Sequence, residues 1–282
     1  AGGAGIALAY SIAQENFIEN GNNRVILATD GDFNVGVSSD AELVRLIEEK
    51  RRGGVYLTVL GFGTGNLKDS KLEQLADKGN GNYAYIDNLL EARKTLVSEL
   101  GGTLFTIAND VKIQVEFNPA KVSAYRLIGY ENRLLKREDF ADDTKDAGEI
   151  GAGHSVTALY EIVPVGVEST PMADSLKYQV VGIRPDAIGS AELLTIKLRY
   201  KTPGDSTSQL LTETVIEPEL NISETSNDFR FAAAVAEFGM LLRDSEFKGS
   251  ASYASVVSMA KGSRGVDSEG YREEFIRLVE SC

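Results

Sequence analysis

The sequence predicts an α/β protein: a Rossmann-like parallel sheet, then an antiparallel β-sandwich-like region, then C-terminal helices. Three observations carry this. Residues 1–105 alternate helical apolar spacing with short apolar runs, residues 106–225 are β-rich stretches punctuated by Pro and Gly, and residues 226–282 return to helical spacing. With 282 residues and 43% apolar content, the chain is long enough for two domains or three small ones. The expected division is 1–105, 106–225 and 226–282.

The elements follow in order. "GIALAYSIAQENFIEN" carries a helical stripe through Ile6, Ala9, Ile12, Ala13 and Phe17. Val25, Ile26, Leu27 and Ala28 read as a strand over 24–29, apolar on both faces as in a buried parallel sheet. "SDAELVRLIEEKRRGG" is a helix with Ser39 or Asp40 as N-cap, Glu42 near N3 and Gly53 as C-cap. "VYLTVLGFG" is a second buried strand, "DSKLEQLADKG" a helix capped by Asp69 and closed by Gly79, "NYAYI" a third strand, and "NLLEARKTLVSELGGTLFTI" a helix. This order implies right-handed crossovers and a parallel sheet. The strand at 24–29 is the first in the chain, so sequential crossovers leave it at an edge. A long apolar edge templates aggregation, so a further strand is expected beside it.

Beyond residue 105, "VKIQVEFN", "KVSAYRLIGYE", "HSVTALYEIVPV", "LLTIKLRYKTP" and "QLLTETVIEP" read as strands, and "DDTKDAGEIGAG" as a polar loop. "SNDFRFAAAVAEFGMLLRD", "SYASVVSMAKG" and "DSEGYREEFIRLVES" read as helices. Phe231, Val235, Phe238 and Leu242, with Tyr271, Phe275 and Leu278, form the expected core stripes. These helices are expected to pack on the β region, because segments this short are marginal alone.

A net charge of −13 argues against nucleic acid and an anionic membrane surface, and permits divalent cations or basic partners. No apolar run approaches the ~18 residues of a membrane span. "AGGAGIALAY" lacks the charged start and cleavage pattern of a secretory signal. The single cysteine, Cys282, can form no internal disulfide, and the single histidine, His154, is expected to be structural, at the start of a strand.

The stretch that concentrates chemistry is "RVILATDGDFNVG", where an apolar strand ends abruptly in Asp30-Gly31-Asp32. Ligands of open α/β sheets bind beyond the carboxyl ends of strands. Asp30, Asp32 and Asn34 have EF-hand-like spacing, but Val35 and Ala41 occupy the positions that need Gly and Glu. On these residues alone, an Asx-rich turn and a metal site stand level. The glycine runs "GGAGIAL" and "GFGTGN" fit neither a dinucleotide fingerprint nor a Walker loop, no G-x-S-x-G exists, and no Ser-His or Cys-His pair is evident.

Together, "GGAGIALAY", "ILATDGDFNVG" and "LTVLGFGTGNLKDSKLEQLADKGNGNYAYIDN" resemble the later half of a von Willebrand factor type A domain. With "AGHSVTALYEIVP" and "YASVVSMAKG…GYREEFIRLV", nearly the whole chain resembles the bacterial YfbK-like group. The resemblance implies a partial von Willebrand factor A-like domain over 1–105, and a metal-ion-dependent adhesion site with Asp30 as its third-motif aspartate and Asp32 as a weak or indirect contributor. The family's D-x-S-x-S is not in this chain and its Thr would fall immediately before Ala1, so the site is incomplete here. The function this implies is a non-enzymatic, extracytoplasmic cell-envelope binding or adhesion module, periplasmic or surface, lipoprotein included. Its complete form would hold Mg²⁺, Mn²⁺ or Ca²⁺, with an acidic side chain of a protein ligand completing the coordination. The alternatives are a metal-independent assembly or scaffold component, and a hydrolase whose catalytic residues lie upstream.

Overall fold

The computed structural model describes residues 2–19, 21–30, 40–63, 68–130, 134–145, 147–167, 182–216 and 220–282. The elements run α1 (Gly2–Glu15), β1 (Asn23–Thr29), α2 (Asp40–Arg52), β2 (Val55–Phe62), α3 (Asp69–Lys78), β3 (Tyr83–Ile86), α4 (Leu89–Arg93), a π-helical turn (Lys94–Ser98) and α5 (Leu100–Leu104). Then follow β4 (Thr106–Phe117), β5 (Val122–Ile128), a 3₁₀ turn (Arg137–Ala141), β6 (Gly148–Gly151), β7 (Leu159–Pro164), α6 (Pro185–Ile188), β8 (Glu192–Lys201) and β9 (Gln209–Ile216). After a second 3₁₀ turn (Ile222–Glu224), α7 (Asn227–Leu242), α8 (Tyr253–Ser263) and α9 (Tyr271–Glu280) close the chain. Three sheets result: β1-β2-β3, parallel; β6-β4-β8-β9; and the antiparallel pair β5-β7.

The chain divides into two compact units that interleave in sequence: Ala1–Ile113 with Arg137–Ser155 and Leu198–Leu211, and Gln114–Lys136 with Val156–Lys197 and Thr212–Cys282. The first unit holds the parallel sheet. Ile6 and Tyr10 of α1, Leu43 and Ile47 of α2, and Leu72, Leu75 and Ala76 of α3 bury against Val25, Val55, Leu57 and Val59. The helices therefore cover the odd-numbered face of β1 and β2, as the two-residue period of a strand dictates. β2 is central and buried on both faces, with Thr58 and Leu60 each 3% exposed on the even side.

β1 departs from the expectation of burial on both faces. It lies at the sheet edge, as the crossover argument anticipates, and Ile26 on its even face is 45% exposed. The stripe of α1 is also shifted: Ile6, Ala9, Tyr10 and Ala13 face the core, while Ile12 and Phe17 are exposed and Phe17 lies past the helix end. Asp69 does not cap α3. Lys68 holds that position, and the Asp69 carboxylate instead accepts a hydrogen bond from the Tyr83 hydroxyl. The single helix expected over 88–107 is three short pieces, α4, the π turn and α5, and Thr106 and Ile107 belong to β4. β-branched Thr95 and Val97 and the Gly101–Gly102 pair weaken a continuous helix here. The loop expected at 142–153 contains β6, which pairs with β4.

Also in the first unit, Asp139, Asp142 and Asp143 are held to β4 and β8 by buried Lys112 and half-buried Lys201. Lys201 Nζ lies 2.6 Å from Asp110 Oδ2 and donates to the Asp143 carbonyl at 2.8 Å. Lys112, 3% exposed, donates to the Asp142 and Asp139 carbonyls at 2.5 and 3.3 Å.

In the second unit, Phe117 packs its ring 4.4 Å from Tyr125 and 5.5 Å from Tyr160, joining the end of β4 to β5 and β7. Arg126 of β5 donates from Nη2 and Nε to the one oxygen Glu161 Oε2 of β7 at 2.5 and 2.6 Å, lies 4.2 Å over the Phe247 ring and reaches Met240 Sδ of α7 at 3.4 Å. The C-terminal helices thus join the β region. Their core is Ala234, Phe238, Val256, Ala260, Ile276 and Val279. The expected stripes are displaced by a residue: Val235, Leu242 and Leu278 are exposed, while Ala234, Leu241 and Val279 turn inward. Ala234 of α7 and Ala260 of α8 are both fully buried in this core.

Candidate functional site

The parallel sheet sets where the first candidate lies. β1 runs parallel to β2 from Asn23↔Val55 to Thr29↔Gly61, so the next residue, Asp30, emerges at the carboxyl end of the sheet. It is exposed and engaged in a polar interaction. Asp32 lies outside the described residues, as do Ser39 and the glycine-run residues 64–67. Among the described residues no group of three or more His, Cys, Asp or Glu side chains converges as a cation site would require. A Mg²⁺ site demands about six oxygens in a tight octahedron, and Asp30 offers one carboxylate, so the described residues do not by themselves fit the ion.

A second polar locus lies in the same unit and was not legible as a motif. Arg24, Asn80, Asn82, Thr106, Glu149 and His154 line a cleft with about 20 Å³ of space, enough for one water molecule. Arg24, on the even face of β1, donates from Nη1 to Thr58 Oγ1 at 2.8 Å and lies 5.6 Å from the Tyr56 ring centroid. Burial pulls the guanidinium pKa below its usual value, against the opposing pull of the Glu149 carboxylate. Burial likewise raises the Tyr56 hydroxyl, with Glu149 adding to the effect. His154 is exposed at this cleft, its backbone N–H donating to Gly151 at 3.1 Å. It precedes β7 by five residues instead of opening that strand. Arg24 and Glu149 are far apart in sequence, and no local pattern foretells their meeting.

What the fold defines is a parallel α/β unit with an acidic strand end, interleaved with a β and helical region. The family model "Uncharacterized protein YfbK, C-terminal" matches residues 102–282, so the chain belongs to that family. Over 279 residues it is 44% identical to "Uncharacterized protein YfbK" of Escherichia coli (strain K12), covering 99% of this chain and 48% of the relative. The chain therefore spans about half the length of that relative. A von Willebrand factor type A structure from Catenulispora acidiphila aligns over 99% of this chain and 62% of its own, at 14% identity and a TM-score of 0.40.

Proposed function

We propose that the complete protein is a non-enzymatic binding module of the cell envelope, on the extracytoplasmic side, and that Asp30 is one corner of its divalent-cation site. The observation that carries this is the placement of Asp30, exposed at the carboxyl end of an edge strand in a parallel sheet. Such strand ends are where open α/β sheets bind ligands. β1 is the end strand of its sheet among the described residues, which leaves an edge for a further strand; exposed Ile26 on its even face and Leu8 and Ile12 on α1 are apolar surface that added chain could cover. A strand in that position would bring more oxygen ligands to the same end of the sheet. Mg²⁺, Mn²⁺ or Ca²⁺ held by several oxygens and one open position would then take a carboxylate from a protein partner. A metal-independent assembly role uses the same surfaces without the cation.

Calorimetry distinguishes these. This chain alone should show no Mg²⁺ binding at micromolar concentrations, while a longer chain that includes the family's D-x-S-x-S should bind, and Asp30→Ala should weaken that binding by at least about tenfold. Micromolar binding by the present chain, or indifference to Asp30→Ala, would contradict the assignment.

The hydrolase reading has one observation in its favour, the meeting of Arg24, Glu149 and His154 at one cleft. It predicts that His154→Gln abolishes turnover. The binding-module reading predicts that this variant folds and captures partner unchanged.

A further inference from the structure

β9 is the outermost strand of the sheet β6-β4-β8-β9, so one of its edges has no strand beside it among the described residues. Every residue of Gln209–Ile216 except Val215 is exposed, with Leu211 at 55% and Ile216 at 64%. Proteins usually guard such an edge with charged side chains, lysine above all, with proline or with brevity. β9 is eight residues long and contains neither lysine nor proline. Its one charge is Glu213, which shares a face with Leu211 and Val215 by the two-residue period. Two other acidic side chains of this sheet are matched: Glu116 lies 3.3 Å from Lys197, and Asp110 is 2.6 Å from Lys201. Glu213 has no hydrogen-bond or ion-pair partner among the described residues.

We propose that the outer edge of β9, which no described strand pairs, receives an extended segment of a partner protein with the pattern apolar–x–basic–x–apolar. Main-chain hydrogen bonds would extend the sheet by one strand, and alternate side chains would supply specificity. A lysine or arginine opposite Glu213 forms the cross-strand charge pair, and apolar residues two positions either side meet Leu211 and Val215.

A second copy of this chain fits less well. Antiparallel pairing about a two-fold axis keeps residues of the same face opposite one another. The register that sets Leu211 against Val215 then sets Glu213 against Glu213, and the adjacent registers set Glu213 against Leu211 or Val215. The net charge of −13 also repels a copy and attracts a cationic segment. This edge adds to the binding-module reading and is independent of Asp30 and any cation there.

The test uses a capped, fluorescein-labelled peptide, Thr-Val-Thr-Lys-Thr-Val-Thr, and the same peptide with Glu in place of Lys, titrated with the chain in low salt. The Lys peptide is expected to bind about threefold or more tighter than the Glu peptide. Glu213→Lys should reverse the order, and Glu213→Gln should remove the preference while circular dichroism stays unchanged. Amide exchange should slow on Gln209–Ile216 when the Lys peptide is present. Equal affinity for both peptides, no binding at millimolar concentration, protection on another element, or a concentration-dependent dimer blocked by the peptide would each overturn the proposal. None of these outcomes bears on Mg²⁺ binding at Asp30.

Discussion

Tyr10 shows how one residue sets local stability. Its side chain is fully buried on α1 among Ile6, Val25 and Ile47, and its hydroxyl has no hydrogen-bond partner among the described residues. A buried hydroxyl without a partner costs about 1–3 kcal/mol relative to a satisfied one. Tyr10→Phe keeps the ring and removes that cost, so it should raise stability by up to about 1 kcal/mol in a urea titration. Burial also drives the Tyr10 hydroxyl well above the usual tyrosine value near 10. The group is neutral in the folded state and ionises more easily when unfolded. Its contribution is therefore complete below about pH 10 and falls as pH rises above that value. Tyr10→Phe should flatten the alkaline limb of stability measured between about pH 9 and 12; an unchanged limb would show that Tyr10 is not buried as described.

At the scale of elements, the C-terminal helices depend on a few aromatic contacts. Phe238 of α7 meets Phe275 of α9 at 5.6 Å and Tyr253 of α8 at 6.1 Å. Truncating it removes the common contact of three helices, so Phe238→Ala should cost about 3–5 kcal/mol, read by chemical denaturation. Because Arg126 ties β5 to Met240 and Phe247, limited proteolysis should not release 226–282 as a folded piece while the remainder stays folded. A stable soluble fragment of that length would contradict the packing described. These helices were legible as helices but not by face. Phe231, Val235, Phe238 and Leu242 and the inward set Phe231, Ala234, Phe238 and Leu241 are both three-and-four spacings. Only the neighbours α8 and α9 choose between them. β6 was hidden for a different reason: four residues, Gly-Glu-Ile-Gly, carry no periodicity, and the partner β4 alone makes them a strand.

Over the whole molecule, the parallel order was readable because apolar runs alternated with stretches of helical spacing. The sequence of β1 resembles that of β2, yet β2 is buried on both faces and β1 exposes Ile26. Burial of a strand is a property of its neighbours, which the strand's own residues cannot encode. The same limit applies to sites. Asp30 stood out as a candidate because its charge ends an apolar run, whereas the Arg24, Glu149 and His154 cleft forms from residues that only the fold brings together. The central claim is that Asp30 is one corner of a cation site completed by chain beyond these residues. Crystals of the longer protein soaked in Mn²⁺ test it most directly through anomalous scattering. The account predicts one strong peak about 2–5 Å from the Asp30 carboxylate, bonded directly or through a water, and its loss in Asp30→Ala. A strong peak elsewhere, or a peak that persists in Asp30→Ala, would contradict it.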